Sequence, residues 1–142
     1  METVADQVAV ALAARGVERV FGFPGGGSNL ALIDALARAG VGFVLTRGEV
    51  AAALMAAATA ELTSVPGVVL VGNGPGVTSV VNGVAHAQLD RVPLLVISDR
   101  FTDDGQSGDD LIAFPNGYST TVYVSAQDTK AYQRNPQIMQ NC

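Results

Sequence analysis

Glu49 stands near the head of "RGEVAAALMAAATAEL", residues 47–62, and no other acid occurs there before Glu61. Two glycine-rich stretches lie before and after it, "GFPGGGS" at 22–28 and "GNGPG" at 72–76. A carboxyl group among alanines and a valine is poorly solvated, which disfavours its ionised form. Such a group can give or take a proton near neutral pH. A helix N-terminus opposes this, favouring the anion by ~0.3–1 kcal/mol. Glycines let backbone approach a ligand closely, and helix N-termini offer N–H groups without intrahelical partners. Together these residues admit one acid that handles a proton between two loops that hold a ligand. The plainer alternative is that the acid answers the helix dipole and the glycines only make tight turns.

Neither loop is a standard phosphate cradle. A G-x-G-x-x-G pattern begun at Gly25 fails at Leu30, and one begun at Gly72 fails at Val77. A P-loop requires lysine where Ser28 follows Gly27. A generic nucleotide-binding domain is disfavoured on these grounds.

The elements that must position these residues follow from patterning. Residues 4–15 have one apolar helical face, with Thr3 to cap it and Gly16 to end it. "VERVFGF" (17–23) reads as a strand, broken by "PGGG" (24–27). Ser28 is expected to cap a second helix that stops at Gly40. Strands are expected at 41–46, 67–72 and 93–98, and helices at 48–62 and 77–89, with a turn at 73–76. Strands thus alternate with helices and are continuously apolar, the pattern of a parallel sheet covered by helices on both faces. All three strand-to-helix turns (22–28, 46–49 and 72–76) then open on the carboxyl edge, where ligands of such sheets usually bind.

Residues 101–142 differ. All three tyrosines, the lone lysine Lys130 and the lone cysteine Cys142 lie there. "DDGQSGDD" (103–110) reads as a polar loop and "STTVYVS" (119–125) as a candidate strand, while 133–142 has no clear period. The expected division is an α/β domain over 1–100 and a divergent, irregular C-terminal tail over 101–142.

Composition narrows the classes. The 142 residues carry a formal charge of −5 with a single lysine, so no basic stripe exists for nucleic acid or anionic lipid. The run from Val50 to Ala60 is too short to span a bilayer. "METVADQ" lacks the basic start of a signal peptide, and one cysteine cannot build an internal disulfide framework. A soluble, cytoplasmic protein is expected, with Cys142 a free thiol.

Three motifs in order carry a resemblance over about residues 4–100: "VERVFGFPGG", then "RGEVAAALMAAATAEL", then "PGVVLVGNGPGVTSVVNGVAHAQLDRVPLLVISDR". The chain resembles the N-terminal pyrimidine-binding (PYR) domain of thiamine-diphosphate-dependent enzymes, nearest the acetolactate synthase, benzoylformate decarboxylase and oxalyl-CoA decarboxylase group. The resemblance implies thiamine diphosphate as cofactor and 2-keto acids or acyl-CoA as substrates of a lyase or transferase. It implies that Glu49 is the catalytic acid that hydrogen-bonds the pyrimidine N1′ and so favours the 4′-imino tautomer, which takes the C2 proton. Pro24, Gly25 and Gly26 match the loop beside the cofactor, and Gly74, Pro75 and Gly76 the loop near the pyrimidine. Ser79 stands where relatives usually have asparagine, and Gly48 where many have histidine.

The family's second α/β domain holds the diphosphate through Mg²⁺, using G-D-G and a later N-N. Gly108-Asp109-Asp110 lacks the last glycine and Asn135 precedes Pro136, so no metal site is assigned. The resemblance implies half a cofactor site, weak binding and no turnover by this chain alone, and a homodimer or a separate diphosphate-domain chain as partner. Loss of the pattern after about Arg100 points to a truncated, rearranged or lineage-specific end. The alternative reading is a non-catalytic α/β dimerisation or binding module that keeps the fold. Ala51, Ala52, Met55 and Ala56, with Val80, Gly83 and Ala87, are candidates for either core packing or a dimer face. His86, with no evident partner acid, reads as a surface or interface residue.

Overall fold

A computed structural model describes residues 3–25, 28–101, 107–115 and 123–124. Helices α1 (Val4–Ala14), α2 (Ser28–Arg38), α3 (Glu49–Thr63) and α4 (Pro75–Leu89) alternate with strands β1 (Arg19–Phe23), β2 (Gly42–Leu45), β3 (Gly67–Val71) and β4 (Leu94–Phe101). β5 (Ser107–Pro115) and β6 (Tyr123–Val124) follow. The sheet order is β2-β1-β3-β4-β5-β6. The first four strands in this order are mutually parallel, in the register Phe21↔Val44, Phe21↔Val69 and Val69↔Val96. The expected parallel α/β core is therefore present.

Strand alternation divides the interior into two cores. Val69 and Val71 of β3 face α3 and α4, joining Phe21, Ala52, Ala53, Ala56, Val80 and Ala87. Val68 and Leu70 face the other way, joining Ala9, Leu12, Leu32, Ala35 and Leu36 of α1 and α2. All five residues of β3 are buried, which explains its unbroken apolar run.

Several boundaries differ from the sequence reading. α4 begins at Pro75, inside the expected turn, because proline suits a first helical position where its missing N–H costs no bond. Gly74 precedes it at φ +58, a conformation that favours glycine. Ser28 is the first residue of α2 rather than a residue before it. Ser107–Asp110, expected in a polar loop, belong to β5, which pairs antiparallel with β4 (Ile97↔Ala113, Asp99↔Leu111). The free edge of β4 offers backbone N–H and C=O groups to any extended neighbour, whatever its side-chain polarity. The sheet is thus mixed, with an antiparallel edge. Of the candidate strand at 119–125, Tyr123 and Val124 form β6, and the remainder lies outside the described residues.

α1 is fixed at both ends of its first turn. Thr3 and Asp6 form a reciprocal capping box, and Arg38 Nη2 of α2 meets Asp6 Oδ1 at 2.6 Å. The Arg38 guanidinium, with the Thr3 backbone and hydroxyl donors, holds the Asp6 carboxyl far below the usual carboxylate range. Arg38 also pairs with Asp34 one turn back.

α3 and α4 pack almost without side chains between them. A Cβ added at Gly83 would overlap Ala53 Cβ and lie 3.4 Å from Val50 O. Ala52, Ala56, Val80, Gly83 and Ala87 are buried in this contact, so core packing accounts for them. Ala51 and Met55 are exposed.

Candidate functional site

The chain runs from β1 to β2 on one side of the sheet and then crosses to β3 on the other side of β1. Adjacent parallel strands whose connections leave in opposite directions open a crevice at their carboxyl ends. Here that crevice lies beyond β1 and β3, where the two glycine stretches meet. A Cβ on Gly25 would stand 3.3 Å from Gly72 Cα, and one on Gly72 would stand 3.2 Å from Gly25 N. Only backbone separates the two turns.

Glu49 is the first residue of α3 and is half-buried. Gly48 ahead of it caps the helix with backbone alone. A Cβ added at Gly76 would lie 3.4 Å from Glu49 Oε1 and 3.6 Å from Val71 Cβ. The carboxyl group therefore lies beside Gly76, the second residue of α4, which also borders Val71 at the end of β3. Among the described residues Glu49 makes no ion pair and no side-chain hydrogen bond. The expectation of an acid enclosed by alanines is corrected. Ala52, Ala53, Ala56, Ala57 and Ala60 turn to the core, Ala51 and Ala58 are exposed, and Glu49, in the first turn, is half-buried.

Two residues passed over in the sequence hold these turns in place. The Thr46 N–H donates to Gly22 O at 2.9 Å, and its hydroxyl lies between Gly22 O at 3.1 Å and Gly48 O at 3.0 Å. This fastens the turn before Glu49 to β1. Asn29 is fully buried, and its Nδ2 donates to Val71 O at 3.1 Å, fastening the start of α2 to the end of β3. A threonine closing an apolar strand and an asparagine in a first helical turn were the available signals.

The remaining candidates are placed as follows. Pro24 is half-buried and Gly25 exposed in the turn after β1, and Gly26 lies outside the described residues. Gly74 and Pro75 are exposed at the start of α4, and Gly76 is buried against Glu49. Ser79 is exposed on α4, off the buried line of Gly76, Val80, Gly83 and Ala87. His86 is exposed, and its Nδ1 lies 3.3 Å from Asp90 Oδ2, the partner acid that the sequence reading missed. Among the described residues no three His, Cys, Asp or Glu side chains gather as a metal site, and none of the helices is long and apolar enough to cross a membrane. Gly108-Asp109-Asp110 lies in β5, and Asn135 lies outside the described residues.

Comparison with known proteins gives this geometry a family. The model of the thiamine pyrophosphate enzyme N-terminal TPP-binding domain matches residues 2–116, reaching past Arg100 to the end of β5. The large subunit of acetolactate synthase isozyme 3 from Escherichia coli is 45% identical over 95 residues, which are 66% of this chain and 16% of that protein. The acetolactate synthase large subunit of Buchnera aphidicola (subsp. Schizaphis graminum) is 40% identical over 111 residues, 78% of this chain and 18% of its own length. A probable 2-ketoarginine decarboxylase of Pseudomonas aeruginosa is 47% identical over 87 residues, 61% of this chain and 15% of that one. The chain spans less than a fifth of the length of these relatives. The cofactor that the family implies is thiamine diphosphate, and a carboxyl group bordered by a glycine at the mouth of a crevice suits the edge of a flat heteroaromatic ring. With an α/β core, a switch-point crevice and a match over most of its length, the chain belongs to the thiamine pyrophosphate enzymes as an N-terminal TPP-binding domain.

Proposed function

We propose that this chain is the pyrimidine-binding half of a thiamine-diphosphate-dependent enzyme that makes or breaks a C–C bond in 2-keto acids, in the manner of an acetolactate synthase. The observation that carries the reading is the Glu49 carboxyl beside Gly76 at the carboxyl-edge crevice. The printed names of the relatives, acetolactate synthases and a 2-ketoarginine decarboxylase, support the substrate class.

Thiamine diphosphate supplies the carbanion chemistry when bound. Glu49 would hold a proton at the pyrimidine N1′. Gly76 would leave room for the ring beside the carboxyl group, and the backbone of Pro24 to Gly26 and of Gly74 and Pro75 would border it. Ser79, with a shorter side chain than asparagine, would contribute less to that border. Thr46 and Asn29 would keep Glu49 and the first loop in register through β1 and β3.

The chain alone is proposed to bind the cofactor weakly and to lack turnover, because Mg²⁺ and the diphosphate carry most of the ligand's charge and call for oxygen ligands from another domain. A second copy or a separate diphosphate-domain chain would complete the site. The exposed apolar side chains Leu54, Met55 and Leu62 of α3, with Val81 and Leu89 of α4, support a partner surface on that face. A cytoplasmic setting belongs to the same proposal and rests on the single cysteine, which forms no internal disulfide.

The test follows C2 proton exchange of thiamine diphosphate by NMR, with the chain paired to a diphosphate-domain partner. Glu49→Gln is expected to slow exchange about 10²–10⁴-fold. An unchanged rate would remove Glu49 from the chemistry and leave a non-catalytic module as the better reading.

A further inference from the structure

We propose that Asn29 is a positioning residue for the cofactor site, whose carboxamide joins the two glycine turns and so fixes the breadth of the crevice they border. This rests on the function proposed above, since the ligand of that crevice is taken to be thiamine diphosphate.

Among the described residues four polar side chains are buried, those of Ser28, Asn29, Thr46 and Ser98. All four gather at the carboxyl edge. Ser28 and Asn29 open α2 just beyond β1, Thr46 follows β2, and Ser98 pairs in register with Val71, the last residue of β3. Asn29 is fully buried, and its place in α2 calls for an apolar side chain. Leu32 and Leu36, one and two turns on, share its side of the helix and are fully enclosed. A carboxamide in such a place gives up its hydration and is held by the bonds it makes instead.

The carboxamide reaches both turns. Its Nδ2 donates to Val71 O at 3.1 Å, where the chain leaves β3 for Gly72. A Cβ added at Gly25 would lie 3.5 Å from the same nitrogen, so the amide also lines the first turn. Gly25 and Gly72 themselves meet through backbone alone. Beyond Val71, the contacts continue to Gly76 and from Gly76 to the Glu49 carboxyl. A shift of Asn29 against Val71 would therefore change the spacing between the first turn and the pair Gly76 and Glu49. An apolar side chain would fill the same space and leave the turns joined only where Gly25 meets Gly72.

The test titrates the ¹⁵N-labelled full chain with thiamine diphosphate and follows amide resonances in the parent, Asn29→Leu and Asn29→Asp. In the parent, saturable shifts are expected at Glu49 and Gly76, and at Gly25 and the Asn29 side-chain amide with the same apparent Kd. Asn29→Leu keeps the apolar line of α2 and should weaken that affinity about two- to tenfold, as for one lost hydrogen bond. Asn29→Asp has nearly the same shape, and only its protonated carboxyl can donate to Val71 O. Its affinity, taken as a ratio to the parent at each pH, should therefore recover as pH falls. A residue that served the fold alone would move the urea midpoint but not this ratio, measured where each chain is folded. Equal affinity in Asn29→Leu and the parent overturns the proposal, and so does an Asn29→Asp ratio that does not vary with pH. Should neither variant fold, the parent decides. Shifts at Glu49 and Gly76 without shifts at Gly25 and the Asn29 side chain overturn the proposal, and matching shifts support it. These failures leave the cofactor reading standing. Absence of saturable shifts at Glu49 and Gly76 in the parent overturns the cofactor reading and this proposal with it.

Discussion

Gly83→Ala should destabilise the fold even though alanine is the better helix former. In an exposed helix the change would gain about 0.8–1.0 kcal/mol from propensity. Here the new Cβ would fall on Ala53 Cβ, roughly an ångström or more short of the ~3.5–4.0 Å at which two carbons rest. α3 cannot yield freely, because Ala56 packs as tightly on Gly67 of β3, where an added Cβ would overlap Ala56 O. Overpacking of this kind costs typically ~1–3 kcal/mol, and the absence of any flexible side chain in the contact places this site at the upper end. The net loss should be about 1–2 kcal/mol after the propensity gain. The swap Gly83→Ala with Ala53→Gly restores one methyl group to the contact, exchanges the two propensities and should return stability to within about 0.5 kcal/mol of the parent. Urea unfolding of the parent, the two single variants and the swap gives the coupling directly. A Gly83→Ala chain as stable as the parent, or a swap no better than the sum of its parts, would refute the close helix contact. Since α3 carries Glu49 and α4 carries Gly76, the same contact sets the spacing within the site.

Other outcomes follow from individual bonds. Thr46→Val removes the hydroxyl held between Gly22 O and Gly48 O and should cost about 1–2 kcal/mol in urea unfolding, with amide exchange rising at Gly48 and Glu49. Asp6 has a carboxyl held below the ordinary range, so its contribution is fully present above the ordinary carboxylate pKa of about 3.9 and is lost as pH falls toward the folded value. The urea midpoint of the parent should therefore drop more steeply below about pH 4 than that of Asp6→Asn, and equal slopes would show that the Arg38 contact does not form in solution.

Much of the fold was legible because the local signals agree. Thr3, Gly16 and Gly40 mark helix ends, and the β3 run is continuously apolar because both of its faces are covered. The edge strand β5 was not legible. Its pairing with β4 is made by backbone, and Asp109 and Asp110 carry no apolar pattern to announce it. Pro75 misled in the opposite direction, since a proline after glycine signals a turn as readily as a first helical residue.

At the site, the sequence by itself determined which residue types are at hand: one acid at a helix start, glycines in the turns before and after it, and no lysine for a phosphate loop. It could not decide what those residues touch. That Glu49 rests on Gly76, that Gly25 meets Gly72, and that Asn29 reaches Val71 O from 42 residues away depend on strand order, which places β1 next to β3 although β2 lies between them in the chain. The tertiary structure also corrected the setting of Glu49. Ala52 and Ala53 turn into the core while Ala51 is exposed, and the acid remains half-buried at the crevice, because successive residues of a helix point to different sides.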